Sequence, residues 1–171
     1  NGDANFHAAV ATCLALNLGK LADLANSLCP WEPVAECPRH LFSRQAVPFT
    51  WDFGEGVPVG DSSGSWQVMV ERFATILAGI GSDWHQSSPQ LASATAHPLP
   101  DDSANALVTD PPYYDAVPYA YLSDFFYVWL RRNLFSVHPD LFNGELVPKH
   151  SEIVVDRPQE LSKSTHDIAF Y

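Results

Sequence analysis

Apolar residues recur at helical spacing in three stretches of the chain, which are residues 6–28, 65–80 and 121–134. A spacing of three and four residues places such side chains on one face of a helix, so each stretch is predicted to be a helix. In the first stretch, we expect the apolar face to pack in the core rather than to form an interface. The third is apolar on most sides, which is typical of a buried crossover helix.

The third predicted helix carries signals at both of its ends. Ser123 is the expected N-cap, and Asp124 lies where a negative charge interacts favourably with the positive end of the helix dipole. Arg131 and Arg132 lie at the opposite end, where positive charges are favourable. We therefore attribute both arginines to the end of the helix rather than to a phosphate contact.

A different pattern precedes that helix. Residues 106–109 form a short, mainly apolar stretch, which predicts a buried β-strand. Pro111 and Pro112 end the strand, because proline fixes φ and lacks the backbone N–H that a β-ladder needs. Asp110 is therefore expected at the carboxyl end of the strand, where open α/β sheets place their ligands.

Two long segments, residues 29–64 and 135–164, have no sustained periodicity and are punctuated by prolines. Within the first, residues 46–53 have the composition of one short strand. Trp51 is expected to be buried there and to fix the loop, and contact of Arg44 and Trp51 with substrate or with the adenine ring of a cofactor is the alternative. Long ordered loops in compact domains are often functional.

Composition and charge restrict the partners of the chain. Its 171 residues suffice for one domain with a real core. Charged residues make up 17% of the chain, and the formal net charge is −11 with only nine Lys and Arg residues. A DNA-binding face needs a footprint of lysine and arginine. The composition therefore argues against direct DNA binding by this chain alone.

Cys13, Cys29 and Cys37 are an odd number of cysteines and lack the paired spacing of a zinc site. They are expected to be buried or free thiols in a reducing cytoplasm, and no metal site is predicted. The sequence has neither a signal-peptide pattern nor an apolar run of membrane length. A cytoplasmic location and the absence of a membrane partner are therefore the expectations.

Residues 110–113, Asp-Pro-Pro-Tyr, resemble the catalytic motif of the DNA methyltransferases that modify exocyclic amino groups. More widely, residues 44–53, 62–66, 108–132 and 151–158 are similar to the large prokaryotic proteins known as adenine-specific DNA methylases, which carry a domain of unknown function at their N-terminus. The similarity therefore spans most of the chain. Asp-Pro and Pro-Pro are also common turn formers, so the four residues alone are equally compatible with an ordinary turn.

The resemblance implies catalytic roles for Asp110, Pro111, Pro112 and Tyr113. An aromatic amine is a poor nucleophile, because its lone pair is delocalised into the ring. The Asp110 carboxylate and the Pro111 carbonyl would each accept one N–H bond from the amine, which frees the lone pair. The two prolines offer no competing N–H donor, and Tyr113 would stack on a base that has swung out of the duplex. The implied methyl donor is S-adenosylmethionine, and Asp110 would also border it.

The resemblance also implies a set of substrate contacts, which are Tyr114, Asp115, Tyr119, Lys149, His150 and Arg157. The last three are the basic residues of the long segment after the third helix, and in methyltransferases the loop beyond this motif often closes over the target base. An ordered surface loop without a substrate is an alternative of equal weight.

One departure from the family limits these expectations. The family carries a glycine-rich loop upstream of the Asp-Pro-Pro-Tyr motif, which holds the methionine end of the cofactor, and this sequence contains no such loop. The predicted fold is α/β, part of a doubly wound, Rossmann-like methyltransferase sheet with several helices and long proline-rich loops. The chain is expected to be one domain and a fragment of a larger methyltransferase, helical and irregular over residues 1–100, with the strand, motif and helix over residues 101–171. A further helix is predicted to begin at residue 165.

Three functions are compatible with these residues. The first is methylation of adenine N6 in DNA, as in restriction–modification or phage defence, with this chain supplying the target-base half of the site and inactive by itself. The second is a non-catalytic interaction or scaffold domain that keeps the motif as a relic. The third keeps the chemistry on a substrate such as RNA or a protein amide. Asp110 disfavours a protein amide, because amide methylases of this superfamily usually have asparagine at that position.

Overall fold

The computed structural model of the protein describes residues 2–81, 83, 85, 87–96, 98–113, 116–150, 152 and 154. Within these residues the fold is mixed α/β, with three helices and one small sheet. The elements are α1 (Gly2–Ala22), β1 (Trp31–Glu32), β2 (Cys37–Pro38), α2 (Trp66–Ala78) and α3 (Tyr119–Leu134). The helix expected from residue 165 onward lies outside the described residues.

The core forms where α1 packs against α3. Ala15 of α1, Leu134 at the end of α3 and Phe142 in the following loop are buried together. Ala11 and Leu130 are partly buried and pack against them. The contact depends on small residues of α1, because alanine lets the two helices approach closely. This apolar contact fixes the position of α3, which follows the Asp-Pro-Pro-Tyr motif in the chain.

A second apolar contact holds the loop that contains Leu41 and Phe42, here called the 40s loop, against α3. The ring of Phe42 packs on Phe125 and Phe126, with centroids 5.9 and 5.6 Å away. Leu41 beside it is fully buried. Gly19 of α1 faces this cluster, and a Cβ at that position would lie 3.8 Å from the Phe126 ring. Aromatic rings at these distances pack favourably edge to face, so the loop is fixed on the α1–α3 pair.

Helix α1 ends at Ala22, six residues before the predicted end. The Asn26 side chain donates to the carbonyl of Ala22 at 2.7 Å, and its oxygen accepts the N–H of Leu28 at 2.9 Å. Asparagine thus offers the backbone partners that compete with helical hydrogen bonds. The apolar spacing of residues 23–28 therefore continues beyond the helix itself.

Helices α2 and α3 match the predicted positions closely, although the expected cap of α3 is wrong. Helix α3 begins at Tyr119, and Pro118 is at its N-cap. Ser123 lies inside the first turns, and its hydroxyl donates to the carbonyl of Tyr119 at 2.7 Å. The expected burial of α3 on most sides is also wrong, because Val128 and Trp129 are exposed.

The small sheet is a hairpin that the periodicity did not predict. Trp31 pairs with Pro38 and Glu32 pairs with Cys37 in antiparallel register. Each strand has only two residues, so neither shows an alternating pattern. Glu36 in the turn has a φ of 50°, a left-handed conformation that closes the tight connection.

Residues 106–109, which were predicted to form a strand, adopt no regular secondary structure. Leu107 and Val108 are 79% and 93% exposed. A strand is stable only with a hydrogen-bonded neighbour, and in the part of the chain that is described the one ladder joins β1 to β2. The Rossmann-like sheet therefore stays a prediction.

Residues 46–53 also form no strand, and Phe53 makes only an isolated antiparallel bridge with Pro30. The predicted burial of Trp51 is wrong, because its side chain is 87% exposed. Thr50 holds the segment instead, since its hydroxyl donates to the carbonyl of Leu28 at 2.8 Å. Among the described helices, none is both long and apolar enough to cross a membrane.

We expect Leu134→Ala to lower the free energy of unfolding by about 2–5 kcal/mol, because it leaves a cavity in a packed core. Leu107→Ala is the matched control. It makes the same change at an exposed residue and should change the stability by less than about 0.5 kcal/mol. Urea unfolding of both variants measures the difference. Equal losses would show that residues 106–109 belong to the core.

Candidate functional site

The Asp-Pro-Pro-Tyr motif lies on the surface. Asp110, Pro111 and Pro112 are exposed, and the Tyr113 side chain is 68% exposed. The Tyr113 carbonyl accepts the N–H of Ala116 at 3.5 Å. The carboxylate and the phenol ring are therefore both accessible to a ligand. Tyr114 and Asp115, which the sequence assigns to substrate, lie outside the described residues.

The chain between the motif and α3 is held more firmly than the motif itself. Val117 and Ala120 are buried. The Tyr119 N–H donates to the Val117 carbonyl at 3.0 Å, and the Leu122 N–H donates to the Pro118 carbonyl at 3.2 Å. The start of α3 is thus the first fixed point beyond the motif. Tyr119, a predicted substrate contact, is exposed at this point.

The loop after α3 returns to the beginning of that helix. Lys149 forms an ion pair with Asp124, with 2.7 Å between Nζ and Oδ2. The same ammonium lies 5.2 Å from the centre of the Tyr121 ring. Glu152 accepts the N–H of Ala120 at 2.7 Å, so its carboxylate caps the first turn of α3. A carboxylate at this position satisfies a free N–H and interacts favourably with the helix dipole.

The predicted basic residues therefore differ in their surroundings. Lys149 is engaged with α3, whereas His150 beside it is exposed. Arg157 lies outside the described residues. Sequence periodicity did not identify Glu152 as the cap, because it comes 32 residues after the N–H that it accepts. Asp124 was expected to act on the helix dipole, but its main partners are Lys149 and the backbone of the returning loop.

A concave region lies between α1, the 40s loop and α3. Two adjoining cavities of about 570 and 340 Å³ share Asp23 and Phe126 in their walls. The Asp23 carboxylate accepts from His40 Nδ1 at 2.6 Å and from the Leu41 N–H at 3.1 Å. No sequence pattern pointed to these residues, because Asp23 and His40 come from segments that are distant in the chain.

Three groups near this region have displaced pKa values. Burial raises the pKa of the Cys29 thiol, which donates to the Asp23 carbonyl. The hydrogen bond from Arg39 lowers the pKa of the Glu32 carboxyl, and the same contact raises the pKa of Arg39. The Arg39–Glu32 pair is 2.6 Å long and connects β1 to the residue after β2. These shifts are explained by burial and by hairpin geometry without a ligand.

Within the described residues, no group of three or more His, Cys, Asp or Glu side chains converges as a metal site would require. No protein family matches the chain, and no curated protein or solved structure is significantly similar to it. The interpretation of its function therefore depends on the residues themselves.

We expect Cys37 to react with iodoacetamide at least about tenfold faster than Cys29 at pH 8, because only an accessible thiolate is nucleophilic. Cys37 is exposed, whereas Cys29 is buried and burial raises its pKa. Mass spectrometry of peptides after timed alkylation measures both rates, and alkylation in urea provides the unfolded control. Rapid labelling of Cys29 in the native chain would show that the turn after α1 is open.

Proposed function

We propose that this chain supplies the target-base half of an S-adenosylmethionine-dependent methyltransferase that acts on the exocyclic N6 amine of adenine in DNA. The observation that carries this proposal is the exposure of the Asp110-Pro111-Pro112-Tyr113 motif. Its residues match the chemistry that an aromatic amine requires. The reaction is a direct transfer of the methyl group from the sulfonium of the cofactor to the amine nitrogen.

Asp110 is the central acceptor in this mechanism. Its carboxylate is exposed, so it can accept an N–H bond from a ligand. A charge-assisted bond of this kind is about twice as strong as a neutral one. Withdrawal of the amine hydrogen toward the carboxylate would localise the nitrogen lone pair for attack on the methyl carbon. The N–C bond would form as the S–C bond breaks, the cofactor would leave as a thioether, and the proton would then pass from the methylated amine to the carboxylate or to solvent. No general base is needed before transfer, because the amine becomes acidic only after it is methylated.

The prolines provide the second acceptor and restrict the backbone of the motif. Pro111 and Pro112 have no backbone N–H, so the Pro111 carbonyl has no competing donor from these residues. Their fixed φ angles restrict the direction of that carbonyl. Preorganised acceptors accelerate a reaction because they need no rearrangement when charge develops. In the proposed site, catalysis therefore comes mainly from positioning and from hydrogen-bond polarisation.

Tyr113 is the proposed stacking partner of the flipped base. Its ring is largely exposed at the end of the turn, so one face is accessible to an aromatic ligand. Enzymes that modify a base take it out of the helical stack and hold it against aromatic or apolar side chains. Tyr114, Asp115 and Tyr119 are further proposed substrate contacts.

DNA is the proposed partner, although the chain is acidic. With nine Lys and Arg residues against 20 Asp and Glu, most phosphate contacts must come from other segments. His150 is exposed and Arg157 follows it in sequence, so these two are the proposed local contacts. The glycine-rich cofactor loop must also be supplied by other segments. We propose a cytoplasmic protein in which this chain works together with the remaining methyltransferase domains.

A non-catalytic interaction domain is the second candidate. Several large apolar side chains of residues 47–59 are exposed, among them Phe49 and Trp51, and Leu107 and Val108 are exposed as well. Exposed apolar groups in this number are typical of a surface that another protein covers. The missing cofactor loop and the negative charge also favour this candidate. It differs from the first in predicting no role for the Asp110 carboxylate.

We expect Asp110→Ala in the complete gene product to reduce methyl transfer to adenine by at least about 100-fold, because the side-chain acceptor is lost. Asp101→Ala is the matched control, since it changes an exposed aspartate outside the motif. Incorporation of labelled methyl groups into adenine-containing DNA measures both variants. Wild-type transfer by Asp110→Ala would refute the assignment.

We also expect calorimetric titration of this chain with S-adenosylmethionine to detect weak binding or none. The physical reason is that the loop that holds the methionine end of the cofactor is absent from the sequence. Adenosine serves as the control ligand, because it tests the nucleoside part alone. Stoichiometric binding of the cofactor with a micromolar dissociation constant would show that the chain carries a complete cofactor site.

A further inference from the structure

We propose that residues 147–150 and 152, here called the clamp segment, hold the start of α3 and thereby position the methyl-transfer motif. Lys149, Asp124 and Glu152 are then positioning residues, and Lys149 is not a phosphate contact. This inference rests on the proposed function, because it concerns the same motif. It assigns a different task to a lysine that the sequence placed at the substrate.

The first step is the contact between Asp124 and the clamp segment. Asp124 Oδ2 pairs with Lys149 Nζ at 2.7 Å, and Oδ1 accepts the N–H of Val147 at 2.9 Å. Both carboxylate oxygens are therefore used by the same segment. The lysine and aspartate side chains are 25% and 21% exposed, so solvent screens this pair less than it screens a fully exposed one.

The second step is the set of partners around the lysine. A lysine ammonium has three donors. Besides Asp124, Lys149 Nζ donates to the Val147 carbonyl at 3.1 Å and lies over the Tyr121 ring. Two of the three donors are therefore used by groups of this chain. The geometry is that of a residue that joins two protein segments.

The third step extends the clamp to the first turn of α3. Glu152 Oε1 accepts the N–H of Ala120 at 2.7 Å, and the Glu152 N–H donates to the Lys149 carbonyl at 3.2 Å. The two acidic contacts lie one turn apart, at positions 120 and 124. They therefore fix both the position and the axial rotation of the start of the helix.

The fourth step links the helix to the motif. Residues 106–113 are exposed, and the one backbone hydrogen bond that the motif makes within the described residues is the 3.5 Å contact from Ala116 to Tyr113. The motif thus has little support of its own. In this proposal the motif is positioned through its chain connection to the start of α3, which is the point that the clamp segment contacts.

Asp124→Asn in the complete gene product separates the two roles of Lys149, because they predict opposite effects. If the clamp positions the motif, the turnover number for methyl transfer should fall about tenfold while the KM for DNA stays within about twofold. If Lys149 contacts phosphate, loss of its competing carboxylate should leave turnover intact and tighten DNA binding. The second result would overturn the proposal.

Lys149→Met provides the complementary variant. The clamp predicts a similar fall in turnover for this variant. The Asp124→Asn/Lys149→Met double variant should lose no more turnover than either single variant. Lys149→Arg restores the ion pair and should recover most of the turnover. It also predicts an unchanged salt dependence of DNA binding. A fall of about one in the slope of log affinity against log salt is the mark of a lost phosphate contact and would overturn the proposal.

Hydrogen exchange distinguishes failure of the clamp from failure of the proposed function, because it requires no activity. In Lys149→Met and Glu152→Gln, the hydrogen-bonded amides of residues 116–122 should exchange faster, while those of α2 should not change. Arg39→Met is the control, since it breaks the exposed ion pair of the hairpin. If the complete gene product transfers no methyl groups, the proposed function fails and exchange alone decides the clamp. Unchanged exchange at residues 116–122 would overturn it.

Discussion

The packing of α3 against α1 is the contact on which the rest of the described structure depends. It joins Ala15, Leu134 and Phe142 in one buried cluster, and the 40s loop adds the ring of Phe42 beside it. Apolar burial is the main favourable term in folding. Besides the helices, the described residues contain only a hairpin with two residues in each strand, so contacts between helices make up most of the packed core.

The proposed site combines an exposed motif with a firmly held start of α3. Residues 106–113 are exposed, and two prolines restrict the backbone of the motif. Glu152 accepts the N–H of Ala120, and Asp124 accepts the N–H of Val147. In the proposed function, the accessible Asp110 carboxylate and this attachment together supply what catalysis by positioning requires.

Elements whose pattern is local were predictable, and those that depend on distant partners were not. The apolar spacing located all three described helices, with errors at the ends where Asn26 and Pro118 set the boundary. The strand at residues 106–109 was predicted from composition, but a strand also needs a neighbour that composition cannot supply. For the site, the motif was visible in sequence. Its clamp was not, because Glu152 and Ala120 are brought together only by the return of the chain.

The most direct test of the central claim is a structure of the complete gene product with adenine-containing DNA and a non-transferable analogue of S-adenosylmethionine. The account predicts a flipped adenine whose N6 lies about 2.7–3.2 Å from the Asp110 carboxylate and the Pro111 carbonyl, with Tyr113 stacked on its ring. A bound adenine whose amine is held by other residues, with Asp110 facing solvent, would contradict it.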